Sequence, residues 1–193
     1  FFDTRIAILG LLGASLSILT VFATSMIYAQ LKTVPRWNQW TTPVLFLFYA
    51  MTGGAFFTAQ LWLMPWLFPL LALLQVIAWI IGDKRFAEAG QSIEKATGPG
   101  RIGKVRLFEA PHSSGNYLTK EMVHIVGRKH VSTLRLIGLL SLAVLPWFAM
   151  MFLPFGHMLA ILAAILHIIG ALTTRWLFFA QAEHTVGLYY GQR

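Results

Sequence analysis

Long uninterrupted apolar stretches constrain the fold of this chain more than any other feature of its sequence. They cover about residues 6–30, 43–63, 65–81, 134–153 and 156–180. A helix needs roughly 20 apolar residues to cross the hydrocarbon core of a bilayer. Hydrophobic residues make up 57% of the chain and charged residues only 11%, against roughly 25% charged residues in soluble domains. The sequence therefore predicts an all-α integral membrane bundle, a single domain over residues 1–193 with five transmembrane helices.

The Lys and Arg residues fall almost entirely on one side of this predicted topology. The chain has 15 Lys and Arg against 7 Asp and Glu, which gives a net charge of +8. All of these basic residues except Arg5 lie in segments on the side of the C-terminus. Positively charged loops stay in the cytoplasm, so the hydrophilic loop at 83–133 and the C-terminus are predicted to be cytoplasmic. The topology accounts for the basic excess, and we expect no nucleic-acid partner.

Residue types that carry common catalytic chemistry are absent from the predicted spans. The chain has no cysteine, which excludes disulfides, thiol catalysis and cysteine-ligated iron–sulfur clusters within it. The apolar spans contain no Asp or Glu. We therefore predict no catalytic residue and no metal site in this chain.

Two spans carry stripes of small or polar residues at helical spacing. The stripe in the first span predicts contact with neighbouring helices, and its members are Gly10, Gly13, Ser17, Thr20, Thr24 and Tyr28. The stripe in the last span includes His157 and His167, which are expected to face the bundle interior. An ionisable group at membrane depth indicates function. The alternative for His167 is a hydrogen bond to a neighbouring backbone carbonyl.

Aromatic and titratable residues gather at the predicted cytoplasmic ends of the first and last spans. They include Trp37 in "KTVPRWNQW" and Arg175, Glu183 and His184 in "TTRWLFFAQAEH". Such residues are typical of the aromatic belt at a membrane interface. They also suit a quinone site, which needs an apolar slot, hydrogen-bond donors at the two carbonyls and a proton route to water. We predict that these four residues lie near a bound quinone or quinol.

Basic residues in the cytoplasmic segments form the second candidate surface. We predict that six of them dock a partner protein: Lys32, Arg36, Arg101, Lys104, Arg106 and Arg128. The alternative is that these residues are simply solvated or lie on anionic membrane lipid.

Two motifs resemble the membrane-anchor subunits of the DMSO reductase family of molybdenum enzymes. One is "TVPRWNQWTTP" at 33–43, and the other runs from Arg175 to Gly191 as "R…FF…HTVGLYYG". The resemblance implies an anchor in the bacterial inner membrane, of whose usual eight helices this chain supplies the last five. It implies partner subunits that carry the iron–sulfur clusters and molybdopterin, and electron exchange with menaquinone or ubiquinone. The quinone histidine proposed for the family lies in the earlier helices, so no catalytic residue transfers.

Three functions remain open from the sequence. The long insert "GKVRLFEAPHSSGNYLTKEMVHIVGRKH" and the cytoplasmic basic face resemble the sulfite dehydrogenase branch, which implies sulfite oxidation with quinone reduction. The second function is the anchor of a reductase of DMSO or another S- or N-oxide, which oxidises quinol. The third, from another class, is a transporter or channel subunit, which favours intramembrane charges, broken helices or internal repeats.

Overall fold

The structure is a computed structural model, and it describes residues 7–106, 108–109, 128–154 and 156–190. Within these ranges it contains six α-helices and no β-strand. The helices are α1 (Ala7–Ala29), α2 (Thr41–Phe57), α3 (Met64–Glu88), α4 (Ile93–Thr97), α5 (Val131–Phe152) and α6 (His157–Ala180). Short 3₁₀ turns lie at Leu61–Leu63, Pro99–Arg101 and Thr185–Tyr190.

Four of the described helices are long and apolar enough to cross a membrane. They are α1, α3 with the turn that precedes it, α5 and α6. The apolar helix α2 has 17 residues, which corresponds to about 25 Å at 1.5 Å per residue. The predicted all-α membrane bundle is confirmed.

Helices α2 and α3 form an antiparallel hairpin around the main apolar core. Pro65 lies in the first turn of α3, where a missing N–H costs nothing because no intrahelical acceptor exists there. Met64, Phe68 and Leu71 of α3 are fully buried. Trp147 of α5 donates its indole N–H to the Pro65 carbonyl oxygen at 3.3 Å, which joins α5 to the same end of the hairpin.

Helix α3 continues well beyond the predicted span at 65–81. It runs to Glu88 and ends just before Gly90, which takes a left-handed conformation with a φ of +56°. The last two turns carry charged side chains, among them Asp83. These charges can leave the hydrocarbon region while the backbone stays helical. Asp83 therefore lies at the end of the bundle, where it can pair with Arg residues of other segments.

Helices α5 and α6 approach closely where a π-helical segment interrupts α5 at Leu140–Val144. A Cβ atom on Gly170 of α6 would collide with the backbone nitrogen and Cα of Leu142. Only glycine fits at this position. Small residues that let two backbones meet are a common basis of helix contact in membranes, so this crossing fixes how α5 and α6 pack.

The π-helical segment also accounts for the burial and hydrogen bonding of His167. Pro146 has no N–H to donate to the carbonyl of Leu142, four residues earlier. The Leu142 carbonyl oxygen instead lies 2.6 Å from Nδ1 of the buried His167, which donates to it in the Nδ1–H tautomer. The structural alternative for His167 is therefore confirmed. The expectation for His157 is wrong, because this residue is exposed at the first turn of α6, beyond the packed part of the bundle.

Helix α1 contacts the rest of the bundle mainly at its C-terminal end. Ser25 is buried there, whereas the earlier part of the small-residue stripe is exposed. Ser17 and Thr20 donate their hydroxyl hydrogens to carbonyl oxygens one turn earlier in α1, each at 2.8 Å. These bonds satisfy the hydroxyl groups within the helix, so the stripe needs no polar partner. The predicted helix contact is formed at the C-terminal end of the stripe, where Tyr28 packs against Phe46 of α2 and Phe178 of α6, while the earlier part is exposed.

The hydrogen bond between His167 and Leu142 predicts a specific coupling with Pro146. His167→Leu should lower the free energy of unfolding by about 1–3 kcal/mol, because the buried carbonyl loses its partner. In a Pro146→Ala background the same change should cost less, since the substituted alanine supplies a backbone N–H. Thermal unfolding in mild detergent of the original chain, the two single variants and the double variant measures both losses. Equal losses in both backgrounds would contradict the coupling.

Candidate functional site

An aromatic cluster joins the loop after α1 to the C-terminal end of α6. The buried Trp37 stacks on Phe178 with a centroid distance of 5.2 Å, and its indole N–H donates to the Phe178 carbonyl oxygen at 2.9 Å. The edge of Tyr28 meets both rings. The His184 ring lies 5.6 Å from Trp37. The two segments that the sequence singled out therefore fold against each other.

Arg175 lies beside this cluster and is held by aromatic rings. Its guanidinium carbon is 3.8 Å from the centre of the Phe46 ring and 4.7 Å from that of Phe178. Within the described ranges, Arg175 has no ion pair with a carboxylate. A cation over the face of an aromatic ring gains about 0.5–2 kcal/mol, which partly offsets its removal from water. Among the described residues, aromatic rings are therefore the main neighbours of the Arg175 charge.

Three of the four residues predicted for the quinone site thus come together. Phe178 contacts both Arg175 and Trp37, and Trp37 contacts His184. Glu183 has a different neighbour, because its charge acts on Arg128. We therefore place Glu183 at the rim of the cluster.

Arg128 caps the C-terminal end of α6. Its Nε and Nη2 atoms donate to the carbonyl oxygens of Ala180 and Ala182, at 3.3 and 3.0 Å. A positive charge at a helix C-terminus also interacts favourably with the helix dipole. Burial lowers the pKa of Arg128, and the nearby charge of Glu183 opposes that shift.

A small cavity lies between α2, α3 and α6, next to Arg175. Its volume is about 40 Å³. Most of the side chains around it can form hydrogen bonds: Arg36, Gln39, Thr41, Thr42, Tyr49, Gln75, Thr174, Arg175 and Gln181. Few apolar membrane helices enclose so many polar groups, because each one costs free energy unless it finds a partner. Many hydrogen-bonding side chains therefore meet at this cavity.

The Tyr49 hydroxyl links three helices at this cavity. It lies 2.8 Å from Oε1 of Gln75 on α3 and 2.6 Å from Oγ1 of Thr174 on α6. Sequence reasoning assigned no functional role to Tyr49 or Gln75. The available signal was a polar side chain in the middle of each of two adjacent spans, which predicts a hydrogen bond between them.

A cluster of three charged side chains includes Arg36, which also lines the cavity. Asp83 accepts hydrogen bonds from both terminal nitrogens of Arg135 at 2.6 and 2.7 Å, and from Arg36 at 2.9 Å. The Arg36 and Arg135 side chains are only 15% and 19% exposed. Gly82 leaves room for Arg36, since a Cβ there would be 3.0 Å from its Nη1 atom. This Asp83 cluster ties α3, α5 and the loop after α1 together.

The six residues predicted for docking fall into two groups. Lys32, Arg101, Lys104 and Arg106 are exposed. Arg36 and Arg128 are partly buried and form the intramolecular contacts described above. The docking role of all six stays a prediction, and the exposed group is better placed for it. In the described ranges, no group of three His, Asp or Glu residues could hold a metal ion.

Comparison with known proteins gives one informative similarity. The chain is 25% identical over 199 aligned residues to a sulfite dehydrogenase subunit of Allochromatium vinosum. The alignment covers 95% of this chain and 60% of that protein, so the chain spans less than two thirds of its relative. No family model matches the chain, and no solved structure matches it. The similarity is therefore to part of a sulfite dehydrogenase subunit.

The Asp83 cluster predicts an unequal effect of two similar substitutions. Asp83→Asn should lower the free energy of unfolding by about 1–3 kcal/mol, because two largely buried Arg side chains lose a charged acceptor. Glu88→Gln should change it by less than about 1 kcal/mol, because the Arg85–Glu88 pair is exposed and spans 4.0 Å. Thermal unfolding in detergent compares them. Equal losses of stability in the two variants would show that the Asp83 cluster does not stabilise the fold more than an exposed ion pair.

Proposed function

We propose that this chain is the membrane anchor of a molybdenum oxidoreductase and exchanges electrons between an iron–sulfur partner subunit and the quinone pool. A molybdopterin subunit completes the proposed complex, which oxidises sulfite and reduces quinone. The sulfite assignment is supported by the name of the similar Allochromatium vinosum protein and by the long basic insert. The proposed location is the bacterial inner membrane, with the C-terminus in the cytoplasm.

The observation that carries the proposal is the environment of Arg175. Its guanidinium group lies among aromatic rings, without a carboxylate partner in the described chain, and beside hydrogen-bonding side chains. A quinone requires the same combination of an apolar surface for its ring and a donor for its carbonyl oxygen. The negative charge that develops on that oxygen during reduction is stabilised by a fixed cation in a site of low dielectric.

The size of the cavity limits the side from which a quinone could reach Arg175. A volume of about 40 Å³ is far below the roughly 300–1,000 Å³ of ordinary ligand pockets. The ring therefore cannot enter the cavity. Phe179, one helical turn after Arg175, and Trp176 are exposed. We propose that the quinone reaches Arg175 from the lipid side along these residues.

The exposed basic residues support a partner on the same membrane face. Lys32 follows α1 directly, and Arg101, Lys104 and Arg106 follow α4. Exposed charges of one sign attract a partner of opposite charge and orient it. We propose an acidic surface of the iron–sulfur subunit as that partner. A cluster docked there would lie on the side of the membrane that carries the Arg175 site.

Substitution of Arg175 tests the quinone assignment. In the purified complex, Arg175→Leu should lower quinone-dependent turnover roughly 10–100-fold, because the developing negative charge loses its stabilising cation. Activity with a soluble dye that accepts electrons from the partner subunits should be retained. Arg175→Lys keeps the charge and should recover part of the rate.

Arg85→Gln is the matched control, since Arg85 pairs with the nearby Glu88 and does not line the cavity. Loss of both activities in Arg175→Leu would indicate failed assembly. Unchanged quinone turnover would rule out the proposed role of Arg175.

Charge reversal tests the docking surface. Lys104→Glu and Arg106→Glu should each weaken retention of the soluble subunits by about 1 kcal/mol, the usual upper value for an exposed ion pair. Co-purification at increasing salt concentration measures the effect, and salt should diminish it. Arg5→Glu, which the sequence places at the opposite face, should leave retention unchanged. Equal retention in all variants would disprove docking through these residues.

A further inference from the structure

An apolar groove lies between α1 and α2. Residues within 17–21 of α1 and within 47–55 of α2 supply its walls, and its volume is about 370 Å³. The lining is apolar apart from Ser17, whose hydroxyl hydrogen is already donated to the Gly13 carbonyl oxygen at 2.8 Å. Ordinary ligand pockets have volumes of roughly 300–1,000 Å³. The groove is therefore large enough for a ligand, and its walls suit an apolar one.

The groove opens at the lipid-facing surface of the bundle. Ile18 of α1 and Met51 of α2 are each more than half exposed, and Ala50 and Gly54 of α2 are exposed as well. An unfilled gap beside apolar side chains loses their dispersion contacts. In the hydrocarbon region of a membrane, such a gap is therefore filled by an apolar molecule rather than by water.

The dimensions of the groove favour a single hydrocarbon chain as its occupant. From Leu47 to Ala55, α2 advances by about 12 Å along its axis. The volume of about 370 Å³, spread over that length, corresponds to a channel roughly 6 Å across. A helix with its side chains measures about 10–12 Å across and is too wide. A hydrocarbon chain fits, because its carbon atoms pack at about 4 Å from their neighbours.

The groove begins next to the Arg175 site. The Arg175 guanidinium carbon lies 3.8 Å from the centre of the Phe46 ring. Ala50 lines the groove and follows Phe46 by one turn, on the same face of α2. Tyr28 of α1 contacts both Phe46 and Phe179, each at a centroid distance of 5.7 Å. The proposed approach to Arg175 and the groove therefore share the same aromatic rings.

We propose that this groove binds the isoprenoid tail of the quinone whose ring contacts Arg175. The inference rests on the proposed function and specifies its substrate as a quinone with a long, methyl-branched tail. Ala50 and Gly54 lie one helical turn apart and leave hollows for methyl branches, and the flexible Met51 side chain adapts to them. Lipid is as apolar as the tail, so selectivity comes from packing rather than from removal from water.

Photolabelling of the full chain, with the subunits that it retains in mild detergent, tests the groove directly. Two probes carry a ubiquinone or a menaquinone ring and a diazirine at the end of an isoprenoid tail. At least one should label residues within 17–21 or 47–55, and an excess of the unlabelled quinone should suppress this labelling at least about fivefold. A phospholipid with a diazirine on its acyl chain is the comparison probe.

Absence of this labelling with both quinone probes would overturn the tail site. Labelling by the phospholipid probe that excess quinone does not displace would also overturn it, because an ordinary acyl chain would then fill the groove.

Gly54→Leu fills the groove, and Gly10→Leu is the matched control. A Cβ atom at either position meets no heavy atom within 4 Å, so the helices accommodate both substitutions. Gly54 lines the groove, whereas Gly10 is exposed on α1 and does not line it. Labelling by the quinone probe should fall about fivefold in Gly54→Leu and stay unchanged in Gly10→Leu. Equal labelling in the two variants would disprove binding of the tail in the groove.

Turnover of the purified complex separates the tail from the ring. Gly54→Leu should raise KM about tenfold for a quinone with an isoprenoid tail and preserve kcat, because the lost contact binds substrate and transition state alike. KM for the same quinone ring without a tail should not change. An equal change in KM for both quinones, or none for the tailed one, would overturn the inference. Displaceable tail labelling in a complex without quinone turnover would leave the groove standing and refute the proposed function.

Discussion

Polar groups inside this bundle must satisfy one another, since the hydrocarbon core of a membrane offers no water to replace a missing hydrogen bond. The contacts of α2, α3 and α6 show how the chain meets this constraint. Tyr49, Gln75 and Thr174 come from three different helices and join at one hydroxyl group. Further hydrogen-bonding side chains, among them Gln39 and Gln181, line the cavity beside them. Packing and candidate function therefore depend on the same few side chains.

The need to satisfy buried polar groups also explains the hydrogen bonding near Pro146 of α5. Pro146 leaves one backbone donor fewer for the Leu142 carbonyl, and the buried His167 supplies the replacement from α6. Gly170 allows the two backbones to come close enough for that bond. A histidine in a membrane span often indicates chemistry, yet here it completes the hydrogen bonding of an irregular helix.

Much of the fold could be predicted from the sequence because the apolar stretches match the thickness of a bilayer. Among the described helices, α1, α5 and α6 begin and end within three residues of the predicted spans. The apolar stretch alone did not define the end of α3, since charged residues end an apolar stretch without ending a helix. For the candidate site, the sequence predicted Trp37, Arg175 and His184 from aromatic and charged residues at span ends, and the fold brings these three into one cluster. The hydrogen bond between Tyr49 and Gln75 could not be predicted, because single polar residues in a span do not reveal their partners.

Composition and charge alone determined that the chain is a membrane protein and predicted which face is basic. These properties follow from local sequence, since the transfer of a helix into lipid depends on the sum of its own residues. Only the tertiary structure decided which polar groups meet. Arg36 and Arg128 were expected to bind a partner, and the fold turns them toward Asp83 and the end of α6. Such pairings join residues 47 to 54 positions apart along the chain. They depend on the distances between helices, which are set by the packing of the whole bundle.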